Sequence, residues 1–378
     1  MSEVEAPQPS SSEPTESALA RPQRKRRKLP WQRKLLFASV LFFGPLVLLE
    51  GGLRLMGWPT DRIRTIKKLI NFDKASFDEA IGVFRPKSTS KISWPPELAY
   101  TAKINSLGLR GPETTLEPAE GTFRILCLGD STTFGFYVEE NETLPHQLQT
   151  SLLAGGAGTL ETVNGGCGGW SIASETQFFL ERGARLKPQL VVLTFCGNDL
   201  ADLKRERSNY EAQKAQLGQG ASFLKDALYS TATYELLLRG KIAWKRARQK
   251  SAGREPHPLS SAAIEGPEGE RLWGLYEGHL TRLRDELRKR KVALVVSYLP
   301  DAWRLQEGLE EVDSGRLGKL CARLKIPYVS GYPSFKGRPV SELYHAPIDA
   351  HQNAEGNRVL AADVARFLLD QGLVPKKK

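Results

Sequence analysis

Five apolar runs of strand length follow one another from residue 123 onward, and they constrain the fold more than any other feature of the 378-residue chain. They are Phe123–Leu128, Leu160–Val163, Leu190–Cys196, Val292–Leu299 and Ile326–Val329. Between them the apolar spacing turns helical. Thr143 can cap a helix that carries Leu144, Leu148 and Leu152 on one face, with Pro145 tolerated in its first turn. Leu272, Tyr276, His279, Leu283 and Leu287 mark a second helix face, and Leu360, Val364, Phe367 and Leu368 a last one. Strands alternating with helices predict an α/β domain built on a mainly parallel sheet.

Residues 201–270 are far longer than a normal crossover between two such strands, so they are expected to form a helical insertion. Within it Phe223–Leu238 reads as helix, followed by the basic stretch Arg239–Arg254 around Trp244 and a loop rich in Pro, Gly and Ser. The basic stretch reads first as a solvated face. Contact with an anionic membrane surface or polymer is the alternative.

Ahead of the domain the composition changes twice. Residues 1–22 are rich in Ser, Pro, Glu and Ala and are expected to be disordered, because they cannot bury enough apolar surface to offset backbone ordering. Leu35–Leu49 then runs without a charge, and snorkelling by Arg54 with an interfacial Trp58 extends it toward Pro59. Residues Met1–Lys34 hold eight basic side chains, and no Ala-x-Ala-like cleavage site follows the apolar run. The expected arrangement is a basic cytoplasmic tail at 1–34 and a transmembrane signal anchor at 35–57. A stalk and lead-in at 58–120 follows, then a catalytic domain at 121–372 outside the cytoplasm and a basic tail at 373–378.

The net charge of +11 does not make this a nucleic-acid binder. The first 34 residues contribute eight basic against four acidic side chains, and Lys376, Lys377 and Lys378 add three more positives, so most of the excess sits at the two ends. Arg24–Lys28 could pass for a nuclear localisation signal, but its place ahead of the apolar run favours a membrane-flanking role. Cys127, Cys167, Cys196 and Cys321 have neither CxxC spacing nor a histidine at metal-ligand distance, and read as buried thiols. A disulfide is the alternative in an exported domain. No metal and no cofactor are expected.

The chemistry-bearing residues fall at the ends of the predicted strands. Leu126–Gly135 reads LCLGDSTTFG, placing Ser131 at the carboxyl edge of the sheet, where folds of this kind put their ligand sites. Strand two ends in the glycine-rich turn Asn164–Ser171, whose backbone can approach a substrate closely, and strand three in Cys196-Gly197-Asn198-Asp199. Asp349-Ala350-His351-Gln352-Asn353 comes directly before the last helix. A serine, a carboxylate, a histidine and convergent donors are what acyl transfer requires.

In order and spacing these four blocks resemble those of the SGNH/GDSL hydrolase superfamily, over about residues 121–372. The segment Ile104–Gly111 (INSLGLRG) resembles the lead-in of bacterial members with an N-terminal anchor. The resemblance implies a flavodoxin-like three-layer α/β/α sandwich, with Ser131 as nucleophile, His351 as base and Asp349 as its orienter. It also implies an oxyanion hole formed by Ser131, Gly169 and Asn198. Two departures stand out. Position 132 is Thr where the motif's name implies Leu, and Asp349 lies two residues before His351, where the family usually has three. His345 lies nearby but outside the His-x-Asn-x-x-Gly pattern, and reads as a loop histidine.

The function so implied is hydrolysis of short acyl esters, acetyl above all, on an extracytoplasmic glycan such as an acetylated polysaccharide. The alternatives are an O-acyltransferase using the same serine and histidine, and a catalytically silent glycan-binding domain.

Overall fold

The computed structural model describes residues 30–57, 98–204, 266–306, 312–346 and 348–377 without a break. Short pieces at 70–71, 83–84, 86–87, 89–92, 231–234, 236–237, 240, 244 and 308 are described as well. The segment at 1–22 and most of the stalk and of the insertion lie outside the described residues. Two compact units are distinguished, Met1–Gly52 and Leu53–Lys378.

The first unit contains most of helix α1, Trp31–Leu55, which is 25 residues long and includes Pro45. It starts four residues ahead of the uncharged run because Pro30 supplies the first acceptor, its carbonyl taking the N–H groups of Arg33 and Lys34 at 3.0 and 3.2 Å. At 1.5 Å per residue the helix reaches about 38 Å, enough for the roughly 30 Å hydrocarbon layer of a membrane. Most of its side chains are uncovered, Leu41 and Leu48 at 76% and 78% exposure, and Leu53 near its end is buried. By length and composition α1 can cross a membrane.

In the second unit five strands form one parallel sheet: β5 (Phe123–Gly129), β6 (Leu160–Gly166), β7 (Leu190–Phe195), β8 (Ala293–Tyr298) and β9 (Tyr328–Ser330), in the order β6-β5-β7-β8-β9. Each predicted strand is present, with ends shifted by up to three residues. Two short antiparallel pairs precede the sheet, β1 (Ile70–Asn71) with β2 (Val83–Phe84), and β3 (Thr89–Ile92) with β4 (Tyr100–Lys103).

Both faces of the sheet are covered, as successive side chains on the strands require. Ile125 and Cys127 of β5 point into a core with α3 (Leu144–Ala154) and α10 (Ala354–Asp370), through Leu144, Leu148, Leu152, Leu360, Val364 and Leu368. Leu126 and Leu128 point the other way, toward α4 (Ile172–Glu181), α5 (Gly266–Lys289) and α7 (Val312–Leu324). On α5 the buried stripe runs through Leu272, Tyr276, Leu280, Leu283 and Leu287. Leu280 takes the core place expected of His279, which stands half-buried at the edge of the stripe. The result is a three-layer α/β/α sandwich. β5 is an interior strand, and the chain passes to β6 on one side of it and then to β7 on the other, so the carboxyl end of β5 is the topological switch point where such sheets open a crevice.

Candidate active site

Ser131 follows β5 directly and opens the short helix α2 (Ser131–Phe134). Asp130 caps it, its Oδ1 accepting from both the N–H and the Oγ1 of Thr132 at 2.8 Å. The turn is tight because α2 packs on the end of β6 at Gly166, where a Cβ would stand 2.3 Å from the Phe134 nitrogen.

His351 comes from the loop before α10, a helix capped by Asn353 through the Gly356 N–H. That cap fixes where the loop ends, and Gln352 fastens its middle by donating from Nε2 to the Thr132 carbonyl at 3.2 Å. The His351 Nε2 then lies 2.7 Å from Ser131 Oγ, across 220 residues of sequence. Its Nδ1 meets Asp349 Oδ1 at 2.5 Å, and its own backbone N–H donates to the same oxygen at 2.9 Å. The two-residue spacing thus closes a small turn in which one carboxylate oxygen holds both backbone and ring. Burial works to raise the Asp349 carboxyl, and the hydrogen bond and charge of His351 outweigh it, leaving it below the ordinary carboxylate value.

Gly169 lies on the loop leaving β6, exposed, with φ +79° and nothing within 4 Å of where a Cβ would be. Its left-handed backbone suits glycine and faces open space. Asn198, after β7, has its amide turned inward. Nδ2 donates to Asp130 Oδ2 at 2.8 Å and to Asp202 Oδ2 at 2.6 Å, and Oδ1 accepts from the Cys196 thiol at 2.7 Å. Asp199 lies fully under the site, one oxygen accepting from the Cys196 N–H at 2.9 Å. Its pKa is pushed well above the usual carboxylate range, first by burial and then by the charges of Glu175 and Asp130. The four cysteines are free and buried. Burial pushes the Cys127 and Cys321 thiols up to about 12.

Asp130, Cys196 and Asp199 bring one potential ligand atom each within 4.8 Å of the others. They make a poor cation site on chemical grounds. Both Asp130 oxygens already accept hydrogen bonds, and Cys196 and Asp199 both favour their protonated forms.

Two features escaped the sequence reading. The rings of Phe136 and Tyr137 stand against the His351 imidazole, both with centroids 5.4 Å away. A cleft opens next to the chain neighbours of Ser131 and His351, its lining including Thr132, Asn198, Pro300, Trp303, Tyr344 and Ala350. Of the remaining histidines, His345 donates its backbone N–H to the His351 carbonyl at 3.0 Å and packs on Tyr137, with burial lowering its pKa.

The fold resembles that of a lipase/acylhydrolase from Enterococcus faecalis at 15% identity and a TM-score of 0.40, over 68% of this chain and 99% of that one. It resembles an acetylxylan esterase from Geobacillus stearothermophilus at 15% identity and a TM-score of 0.38, over 65% and 94%. No curated protein matches the sequence. The sequence model of the GDSL-like lipase/acylhydrolase family matches residues 127–359, more than half of the chain. This chain therefore belongs to the GDSL-like lipase/acylhydrolase family and is a hydrolase of ester bonds.

Proposed function

We propose that this hydrolase is a serine esterase in which Ser131 is the nucleophile, His351 the general base and then acid, and Asp349 the group that orients the imidazole. The observation that carries the reading is the continuous line of contacts from Ser131 Oγ through His351 Nε2 and Nδ1 to Asp349 Oδ1, at the switch point of the sheet. His351 takes the hydroxyl proton as Oγ attacks the ester carbonyl, and returns it to the departing alcohol oxygen. Water, deprotonated in turn by His351, then releases the acyl group. The oxyanion is held by the N–H groups of Ser131 and Gly169 and by the Asn198 amide. For Asn198 this means exchanging its bond to Asp130 or Asp202 for one to the oxyanion, since both amide hydrogens are engaged in the free protein.

The substrate is a short acyl ester, acetyl above all, on an extracytoplasmic glycan. The cleft lined by Thr132, Asn198 and Ala350, next in the chain to the proposed nucleophile and base or part of the proposed oxyanion hole, supports binding of the ester there. The apolar helix α1 with its basic upstream flank supports a membrane-anchored enzyme facing outward. The test is hydrolysis of aryl esters of increasing chain length by the full chain in detergent. Activity falling steeply beyond acetate and propionate is expected, and a rate that rises with chain length would reject the short-acyl assignment. Ser131→Ala and His351→Ala should each abolish nearly all turnover, and the double variant should be no worse than the weaker single one, since nucleophile and base act as a unit.

A further inference from the structure

From the contacts of Arg110 we infer that the lead-in segment is a working part of the active site, with Arg110 as a positioning residue. It holds the loop whose aromatic rings fix the His351 imidazole against Ser131. The inference rests on reading Ser131 and His351 as the hydrolytic pair.

Arg110 is 2% exposed, although no carboxylate contacts its guanidinium among the described residues. It acts instead as a clamp on main-chain oxygens. One terminal nitrogen donates to the carbonyls of Phe134, at 3.0 Å, and Gly135. The other donates to those of Val138, at 2.6 Å, and Thr101, at 3.5 Å. The guanidinium carbon lies over two rings, 4.9 Å from the centroid of Phe134 and 5.2 Å from that of Tyr100. Three of the four carbonyls belong to the stretch 134–138, from the last residue of the nucleophile helix into the loop after it. A planar group with several fixed donors can gather them at once, which a lysine ammonium cannot.

Arg110 is itself held by a dedicated turn. Asn105 Oδ1 accepts from the N–H groups of Leu107 and Leu109, both at 3.0 Å, and its Nδ2 donates to the Pro112 carbonyl at 3.0 Å. Gly108, at φ +79°, completes the reversal, and Arg110 then bridges to Asn164 at the end of β6. The pattern Asn105-x-x-Gly108-x-Arg110 is therefore a turn that presents one arginine to one loop.

That loop touches the reacting groups at two points. The N–H groups of Gly135 and Phe136 both donate to the Ser131 carbonyl, at 3.0 and 3.1 Å. Phe136 and Tyr137 stand side by side against the His351 ring, 6.0 Å from each other, and Tyr137 also packs against Tyr100 and His345. Tyr137 has φ +65°, a left-handed backbone that a bulky residue adopts only when its surroundings impose it. The bonds from Arg110 to the carbonyls on either side of it are what impose it. Removal of the clamp lets the loop relax, and the imidazole loses the wall that positions it although every group of the proposed triad is still present.

The test compares Arg110→Lys with wild type in the full chain in detergent, reading folding by thermal unfolding and turnover on an aryl acetate. Misplacing a reacting group by about 1 Å costs on the order of 10²-fold in rate, so kcat should fall by about that factor with KM changed less than about twofold. A second reading needs no substrate: the low-field proton resonance of the His351–Asp349 hydrogen bond, assigned by its loss in Asp349→Asn, should broaden or vanish in Arg110→Lys. A folded Arg110→Lys protein with unchanged kcat and an unchanged resonance overturns the proposal, as does a loss confined to KM. Should Arg110→Lys fail to fold, Tyr137→Gly decides. It keeps the left-handed backbone and all the Arg110 bonds but deletes the ring, so it should lower kcat and weaken the resonance, and no change in either overturns the proposal. If wild type hydrolyses no ester, the esterase reading fails on its own, and the resonance still reports whether Arg110 positions His351.

Discussion

At the scale of single residues, the carboxylate at position 349 decides whether His351 is held in the tautomer that can accept a proton at Nε2. Its Oδ1 binds both the ring Nδ1 and the backbone N–H of His351, so Asp349→Asn places an amide that can donate to Nδ1 and favour the wrong tautomer. Acylation should fall by about 10³- to 10⁴-fold, measured as the pre-steady-state burst with an aryl acetate. If Asp349→Asn and Asp349→Ala both keep more than about a tenth of wild-type kcat/KM, a loss under about 1.4 kcal/mol, the orienter is another group. A second residue is testable through stability rather than rate. Asp199 has its folded-state pKa raised, chiefly by burial, so unfolding releases a proton once pH exceeds the unfolded value. The stability it contributes is fully present below that unfolded value and is lost as pH rises toward the raised folded one. Asp199→Asn can keep the bond from the Cys196 N–H and carries no charge at any pH. Its stability relative to wild type should therefore grow with pH across that window, by no more than about 1.4 kcal/mol per pH unit. Chemical denaturation at a series of pH values reads this directly, and a flat difference rejects it. The proposed pair Ser131 and His351, which the fold brings to 2.7 Å, stands in short local motifs of the sequence, one at a strand end and one ahead of the last helix. Phe136, Tyr137 and Arg110 were not legible there, because their significance lies in contacts with elements distant in sequence. The available signal was an arginine set among apolar residues in Ile104–Gly111.

At the scale of elements, the joint between α2 and the end of β6 sets where Ser131 points. Gly165 and Gly166 pair with Leu128 and Gly129 of β5, and α2 descends onto Gly166 with no room for a side chain. A Cβ there would lie 2.3 Å from the Phe134 nitrogen and 2.8 Å from the Thr133 carbonyl carbon. Both are backbone atoms, which cannot swing aside as a flexible side chain can. Gly166→Ala should therefore cost at least the upper end of the about 1–3 kcal/mol typical of overpacking, seen as a lower midpoint of thermal or urea unfolding. Because α2 carries Ser131, turnover of the folded fraction should fall as well. A variant with wild-type stability would mean that the helix can lift without penalty. The five strands were predictable because buried parallel strands are apolar on both faces and so leave unbroken runs in the sequence. The lead-in pair β3–β4 was less so. Its strands are only four residues each, and they belong to the hydrolase unit through Tyr100, Ala102 and Ile104, whose burial in the same core depends on β6 and α2. The register at the sheet's far edge was also hidden, since β9 has three half-buried residues and little apolar signature.

For the whole molecule, the charge around α1 predicts which side of a membrane an anchored hydrolase would face. Helix α1 has the length and apolarity to cross, with a mean hydropathy of 1.9 over its most apolar window. The asymmetry of charge around it supplies the direction. Eight basic residues precede Leu35 within Met1–Lys34, against Arg54 near the other end. Segments rich in Lys and Arg close to a span are retained on the cytoplasmic side. The catalytic unit is therefore expected outside the cytoplasm, where a glycan substrate would be met. The measurement is protease accessibility of a C-terminally tagged chain in intact spheroplasts. Digestion of the tag and of esterase activity before lysis is the expected result, with a cytoplasmic marker protein left whole. Protection until lysis would place the hydrolase inside and remove the glycan from consideration, although the Ser131–His351 chemistry would stand. A charge-neutralising variant separates the cause from the outcome. Replacing Arg24, Lys25, Arg26, Arg27 and Lys28 by Gln should increase the fraction of tag protected, because the retention signal is weakened while the apolar span is untouched. An unchanged fraction would mean that features beyond the basic cluster fix the orientation.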